Sequence, residues 1–164
     1  MPEAPPRGVD PVRVEKILAV IPKRSLRDRV LFTLIARTGV RASEALGVHV
    51  EDLTLTPDDE HVTVHGKGGR SRTILFDDPA LVALIRRYLH ATRYAHGPLF
   101  RAAKNHICGP LRYASAQELW TKYNQLCAHA VGSASATGAT ARPATPDRPA
   151  RTGPAARRVG AATP

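Results

Sequence analysis

Arg41 and Glu44 stand three residues apart in "GVRASEALGV". At the start of a helix that spacing puts both on one face. The carboxylate can hold the guanidinium while its free edge grips two oxygens of a phosphate. RxxE on its own also serves as a simple intrahelical ion pair, so its meaning depends on what accompanies it. A second group accompanies it in "HGKGGRSR", residues 65–72. Gly66, Gly68 and Gly69 allow a tight backbone and close approach, and Lys67 projects a mobile point charge between them. Arg70 and Arg72 add a basic rim suited to a DNA backbone. Alone, this too is an ordinary charged hairpin tip. It is not a phosphate-binding Walker loop, because the GxxxxGK[ST] spacing is missing.

Other reactive residue types form no constellation. His61 and His65, four apart on a strand, share a face, but no third ligand accompanies them and surface histidines are expected. His106 and Cys108 have no partner spacing. No metal site and no cofactor are therefore expected. Cys108 and Cys127 fit no CxxC or disulfide framework, which points to a reducing compartment, the cytoplasm. Of the tyrosines, Tyr88 falls on an apolar helix face, whereas Tyr94, Tyr113 and Tyr123 look like surface or loop residues. Tyr123 with Trp120, three apart on a helix, also fits a core pair.

The 164 residues carry a formal net charge of +10, which favours an anionic partner such as nucleic acid. No basic region followed by an apolar core opens the chain, so no signal peptide is expected. The longest apolar run, "VLFTLIA", is too short to span a bilayer.

Around these residues the elements follow in order. Residues 1–9 are proline-rich and read as a flexible leader. Asp10 and Pro11 begin a helix with Val14, Ile17, Leu18 and Ile21 on one stripe, and Pro22 ends it. Ser25 and Asp28 resemble a capping box for a second helix, which Gly39 closes as a left-handed cap. A short third helix nucleates near Ser43. The period then changes: "HVEDLTL", "EHVTVH" and "SRTILF" are strand-like, with "TPDD" and "GKGG" as turns. Asp78 and Pro79 open a helix, a loop follows, and Ser115 with Glu118 caps a last helix carrying Trp120. The fold class is α+β: mainly helical with a small three-stranded antiparallel sheet, over residues 10–130. Residues 131–164 contain no Leu, Ile, Met or aromatic residue and read as a disordered Ala/Pro/Arg/Thr/Gly-rich tail. The tail has five Arg against Asp147, or +4, which leaves +6 on residues 1–130.

Taken together, "TGVRASEALGV" followed by "VHGKGGRSRTILF", with a short sheet between them, resembles the catalytic domain of the tyrosine recombinases, the phage integrase family. The resemblance covers roughly residues 10–130. It implies site-specific DNA breakage and rejoining without metal or cofactor, by a tyrosine that forms a 3′-phosphotyrosyl link. Arg41 matches the arginine that clamps the non-bridging oxygens, Glu44 the acidic residue supporting it, and Lys67 the lysine that protonates the departing 5′ oxygen. Fixed cations and a proton donor are what such a transition state requires.

The family's HxxR box, second His or Trp and nucleophilic tyrosine would follow the Trp120 helix, and residues 131–164 contain no histidine or tyrosine. "HATR", residues 90–93, matches HxxR but lies upstream of the box's place and reads as chance. "NQLC", residues 124–127, is a weaker match. The family's N-terminal core-binding domain has no counterpart either. The expectation is half of a catalytic domain, truncated or frameshifted, that is catalytically incomplete. It would self-associate through apolar faces left uncovered. The alternative is a non-catalytic DNA-binding protein that keeps the basic face.

Overall fold

The computed structural model describes residues 10–66, 68–102 and 109–137. Helix α1 spans Pro11–Val20; the Asp10 carboxylate accepts the Val12 N–H, with proline in the first turn. Helix α2, Leu26–Thr38, ends at Gly39, whose φ of 65° lets its N–H reach the Ile35 carbonyl. Helix α3 is a single turn and a half, Ala42–Leu46. Strands β1 (Leu53–Thr56), β2 (Asp59–His65) and β3 (Ser71–Leu75) form an antiparallel sheet in that order. Helices α4 (Pro79–Thr92) and α5 (Tyr113–Thr137) complete the fold. This is the mainly helical α+β class expected, with the three-stranded sheet.

The core follows from the apolar stripes. Ile17 and Ile21, then Val30, Leu31 and Leu34 of α2, meet Leu81 and Ile85 of α4. Val62 and Val64 close the core from one face of the sheet, as alternation along a strand requires. Leu99 and Phe100, in the loop after α4, are fully buried. The Tyr88 hydroxyl donates to the Leu99 carbonyl, and the loop's Gly97 N–H meets both oxygens of Glu51. The backbone N–H of Glu51 itself, and then that of Gly97, hold the Glu51 carboxyl below its usual range.

Several local expectations need correction. Ser25 precedes α2 but its side chain makes no capping hydrogen bond, and Asp28 is turned into the core. The strand expected from "HVEDLTL" begins only at Leu53. Asp52 captures the His49 N–H at 2.8 Å and winds Val50–Asp52 into a 3-10 turn instead. Ser115 and Glu118 do not cap α5, whose first turn starts earlier: the Ala116 N–H reaches the Arg112 carbonyl. Helix α5 also runs to Thr137, seven residues past the boundary placed on composition. A helix already nucleated needs no apolar burial to propagate through residues such as Ala134 and Ala136. The rest of the tail, the leader, Lys67, His106 and Cys108 lie outside the described residues.

Tyr123 is buried, not a surface residue, and Trp120 packs partly buried against Phe32 with ring centroids 5.2 Å apart. Among the described residues, no helix is long and apolar enough to cross a membrane, and no group of three or more His, Cys, Asp or Glu could hold a metal ion.

Candidate nucleic-acid interface

The turn between α2 and α3 sets the position of Arg41. The Thr38 hydroxyl donates to the Leu34 carbonyl and accepts the Val40 N–H, Gly39 turns the chain, and Val40 is buried. Arg41 then stands just before the first residue of α3 with extended backbone angles. Its side chain is 78% exposed, so the guanidinium stands in water and not inside a buried turn.

Glu44 is the opposite: its side chain is only 6% exposed. A carboxylate that far from water requires donors. The Arg41 backbone N–H reaches Oε2 at 3.1 Å, and the Arg41 guanidinium approaches Oε1 at 3.6 Å. The tightest ion contact comes from elsewhere, with Arg72 Nη2 at 2.9 Å from Oε2. Glu44 thus joins the start of α3 to strand β3.

The β2–β3 hairpin brings its tip to the same place. His65 pairs with Ser71, the Gly66 N–H donates to the Arg70 carbonyl, and Gly68 and Gly69 take φ values of 83° and 74°. At Gly66 a methyl group would lie 3.4 Å from Glu44 Oε1, so the hairpin root rests against the buried carboxylate. Arg70 is exposed and its side chain makes no hydrogen bond or ion pair among the described residues. The structure therefore brings Arg41, Glu44, Arg72 and Gly66 together, with Arg70 at the rim.

One relation was missed in the sequence. Val64 lies opposite Arg72 in the ladder, so both point to the core side of the sheet. Arg72, Ile74 and Phe76 alternate in "SRTILF", and that parity turns Arg72, half exposed at the sheet's edge, to the side where Glu44 lies.

Of the two histidines expected at the surface, His65 is exposed, whereas His61 is half-buried with its side chain 20% exposed. His61 Nδ1 is 3.1 Å from Asp59, and His65 Nε2 is 3.2 Å from Asp52. His90 and Arg93 of "HATR" sit at the end of α4, with Arg93 as its left-handed cap at φ 56°. The two buried tyrosines are engaged elsewhere. Burial pushes the Tyr88 hydroxyl well above its usual range. Burial, and then the hydrogen bond to Asp28, push Tyr123 up to about 12. Both hold their protons.

This arrangement, a small antiparallel sheet beside helices with an Arg–Glu corner at the β2–β3 hairpin, is similar to that of solved recombinase structures. The crystal structure of XerA recombinase superposes with a TM-score of 0.64, over 78% of this chain and 45% of that one, at 16% identity. The integrase from mycobacterium phage Brujita gives a TM-score of 0.58, over 78% of this chain and 40% of its own, at 23% identity. In sequence, the tyrosine recombinase XerA of Pyrococcus furiosus is 37% identical over 90 residues, or 54% of this chain and 30% of that protein. The putative integrase/recombinase y4rD of Sinorhizobium fredii is 33% identical over 126 residues, or 77% of this chain and 41% of that protein. The pattern of the phage integrase family matches residues 8–142, and the chain belongs to that family. It spans less than half the length of these two relatives.

Proposed function

We propose that residues 1–164 supply the arginine-and-lysine part of a recombinase site and bind double-stranded DNA in the cytoplasm through its backbone. The observation that carries this reading is the exposed Arg41 guanidinium beside a buried Glu44. A cation anchored at its root and free at its tip is a phosphate receptor. In this reading Arg41 clamps the non-bridging oxygens, Glu44 supports it, Lys67 protonates the departing 5′ oxygen, and Arg70 contacts the DNA backbone. The solved structure of XerH bound to its difH substrate supports a DNA partner for the fold.

Residues 1–164 alone are expected to bind without cutting. The chemistry needs a nucleophilic tyrosine after the Trp120 helix; the hydroxyls of Tyr88 and Tyr123 are spent on Leu99 and Asp28, and Tyr94 and Tyr113 precede that place in the chain. A nicked duplex that traps phosphotyrosyl adducts should give no covalent product, and an adduct would overturn this part. Translating the gene's other frames through the codons for residues 120–164 tests the frameshift origin; a frame restoring HxxR and a tyrosine supports it, and none refutes it.

Binding itself is tested by fluorescence anisotropy on a random-sequence duplex. Affinity should fall steeply with salt, by about 0.9 in log–log slope per phosphate contacted. Arg41→Ala should weaken it about tenfold, the loss that ~1.4 kcal/mol carries. Salt-independent affinity, or an Arg41→Ala protein that binds like the parent, would sink the reading.

A further inference from the structure

We infer that Arg72 is a positioning residue: through Glu44 it sets the start of α3 and with it the Arg41 guanidinium. The role rests on the DNA-binding reading of Arg41 and replaces direct backbone contact as the function of Arg72.

Geometry carries it. Arg72 lies opposite Val64 on the core-facing side of the sheet, its side chain half exposed, and reaches Glu44 of α3. Its guanidinium gives the shortest ion contact that Glu44 makes, 2.9 Å against 3.6 Å for Arg41. The same oxygen that takes Arg72, Oε2, also accepts the Arg41 backbone N–H. Oε1 faces Arg41 and the Gly66 backbone. The carboxylate is thus oriented by Arg72 from one side and orients α3 on the other. Removing Arg72 leaves a buried carboxylate whose remaining charged partner is 78% exposed and loosely held. Such a group turns toward water, and the Arg41 N–H loses its acceptor. An exposed arginine with a wandering root is a poorer phosphate clamp, because each of its rotamers must then be ordered on binding.

A double-mutant cycle on the full chain separates this role from direct contact. Duplex affinity is measured by anisotropy for the parent, Arg72→Gln, Arg41→Ala and the double variant. Positioning predicts that Arg72→Gln weakens binding about fivefold in the parent and has almost no effect once Arg41 is gone. The same factor in both backgrounds means Arg72 touches DNA on its own and overturns the inference. A second measurement needs no DNA: the exchange rate of the Arg41 amide hydrogen. It should rise in Arg72→Gln and in Glu44→Gln, stay unchanged in Arg70→Gln, and leave core amides such as Leu34 and Val62 protected. An Arg41 amide indifferent to Arg72→Gln refutes positioning. If the parent does not bind duplex DNA, the functional reading fails while amide exchange still decides what Arg72 does.

Discussion

Asp28 is a carboxylate inside the core with both oxygens occupied. Arg27 holds Oδ1 at 2.7 Å, and the Tyr123 hydroxyl donates to Oδ2 at 2.7 Å from ninety-five residues away. The pair ties α2 to α5 at a point no periodicity marks, since sequence position alone says nothing of which tyrosine meets which aspartate. Tyr123→Phe leaves Oδ2 buried without a donor and should cost about 1–3 kcal/mol in a urea melt; a loss below a few tenths would mean solvent reaches the site. The pH dependence has a definite sign. Tyr123 is raised to about 12 from an ordinary 10.0, so the unfolded chain gives up this proton first. Its contribution is intact below about pH 10 and is lost as the pH climbs through about 12. The gap in melting temperature between the parent and Tyr123→Phe should therefore narrow from pH 10 to pH 12. A constant gap would contradict the assigned environment.

Among elements, those that read clearly in the sequence are those whose signals are local. Asp10–Pro11 starts α1, Asp78–Pro79 starts α4, and Gly39 ends α2, each by satisfying or removing one terminal backbone group. The strands were legible because alternation must match one buried face. What failed was the assignment of short polar side chains. Asp28 and Asp52 each resemble helix or strand markers, but tertiary partners claimed the first and its own turn claimed the second. The Arg41–Glu44 spacing was legible as a pair on one helix face; that Glu44 leans more closely on Arg72 was not, because it depends on how β3 lies against α3. Gly39 positions that whole corner. With φ at 65°, an added Cβ meets no neighbour within 4 Å, so the cost of Gly39→Ala is purely conformational, about 1–2 kcal/mol. Gly39→Asn should recover part of it, since asparagine tolerates the left-handed region. Equal losses for both would place the strain elsewhere.

For the whole molecule, the groove between α1, α2, α3 and α5 is an apolar surface left uncovered among the described residues. It has a volume of about 370 Å³ and is walled by Val14, Phe32, Ile35, Leu46, Tyr113 and Trp120. Tyr113 is 56% exposed at its edge. Apolar surface of this kind in water favours association. We propose a second copy of the chain as its occupant; residues 131–164 have no Leu, Ile, Met or aromatic side chain to compete for it. Sedimentation velocity should show the average mass rising with concentration. Ala36 lines the groove from an exposed position on α2, so Ala36→Glu adds a charge there without disturbing the core. That variant should remain monomeric with an unchanged melting temperature, because burying an unpaired carboxylate at the contact costs more than the contact returns. The parent carries +10, and self-repulsion opposes association, so added salt should strengthen the dimer while it weakens DNA binding. Opposite salt responses of the two equilibria would separate an apolar contact from an electrostatic one. A parent that stays monomeric at every concentration and salt would overturn the proposal.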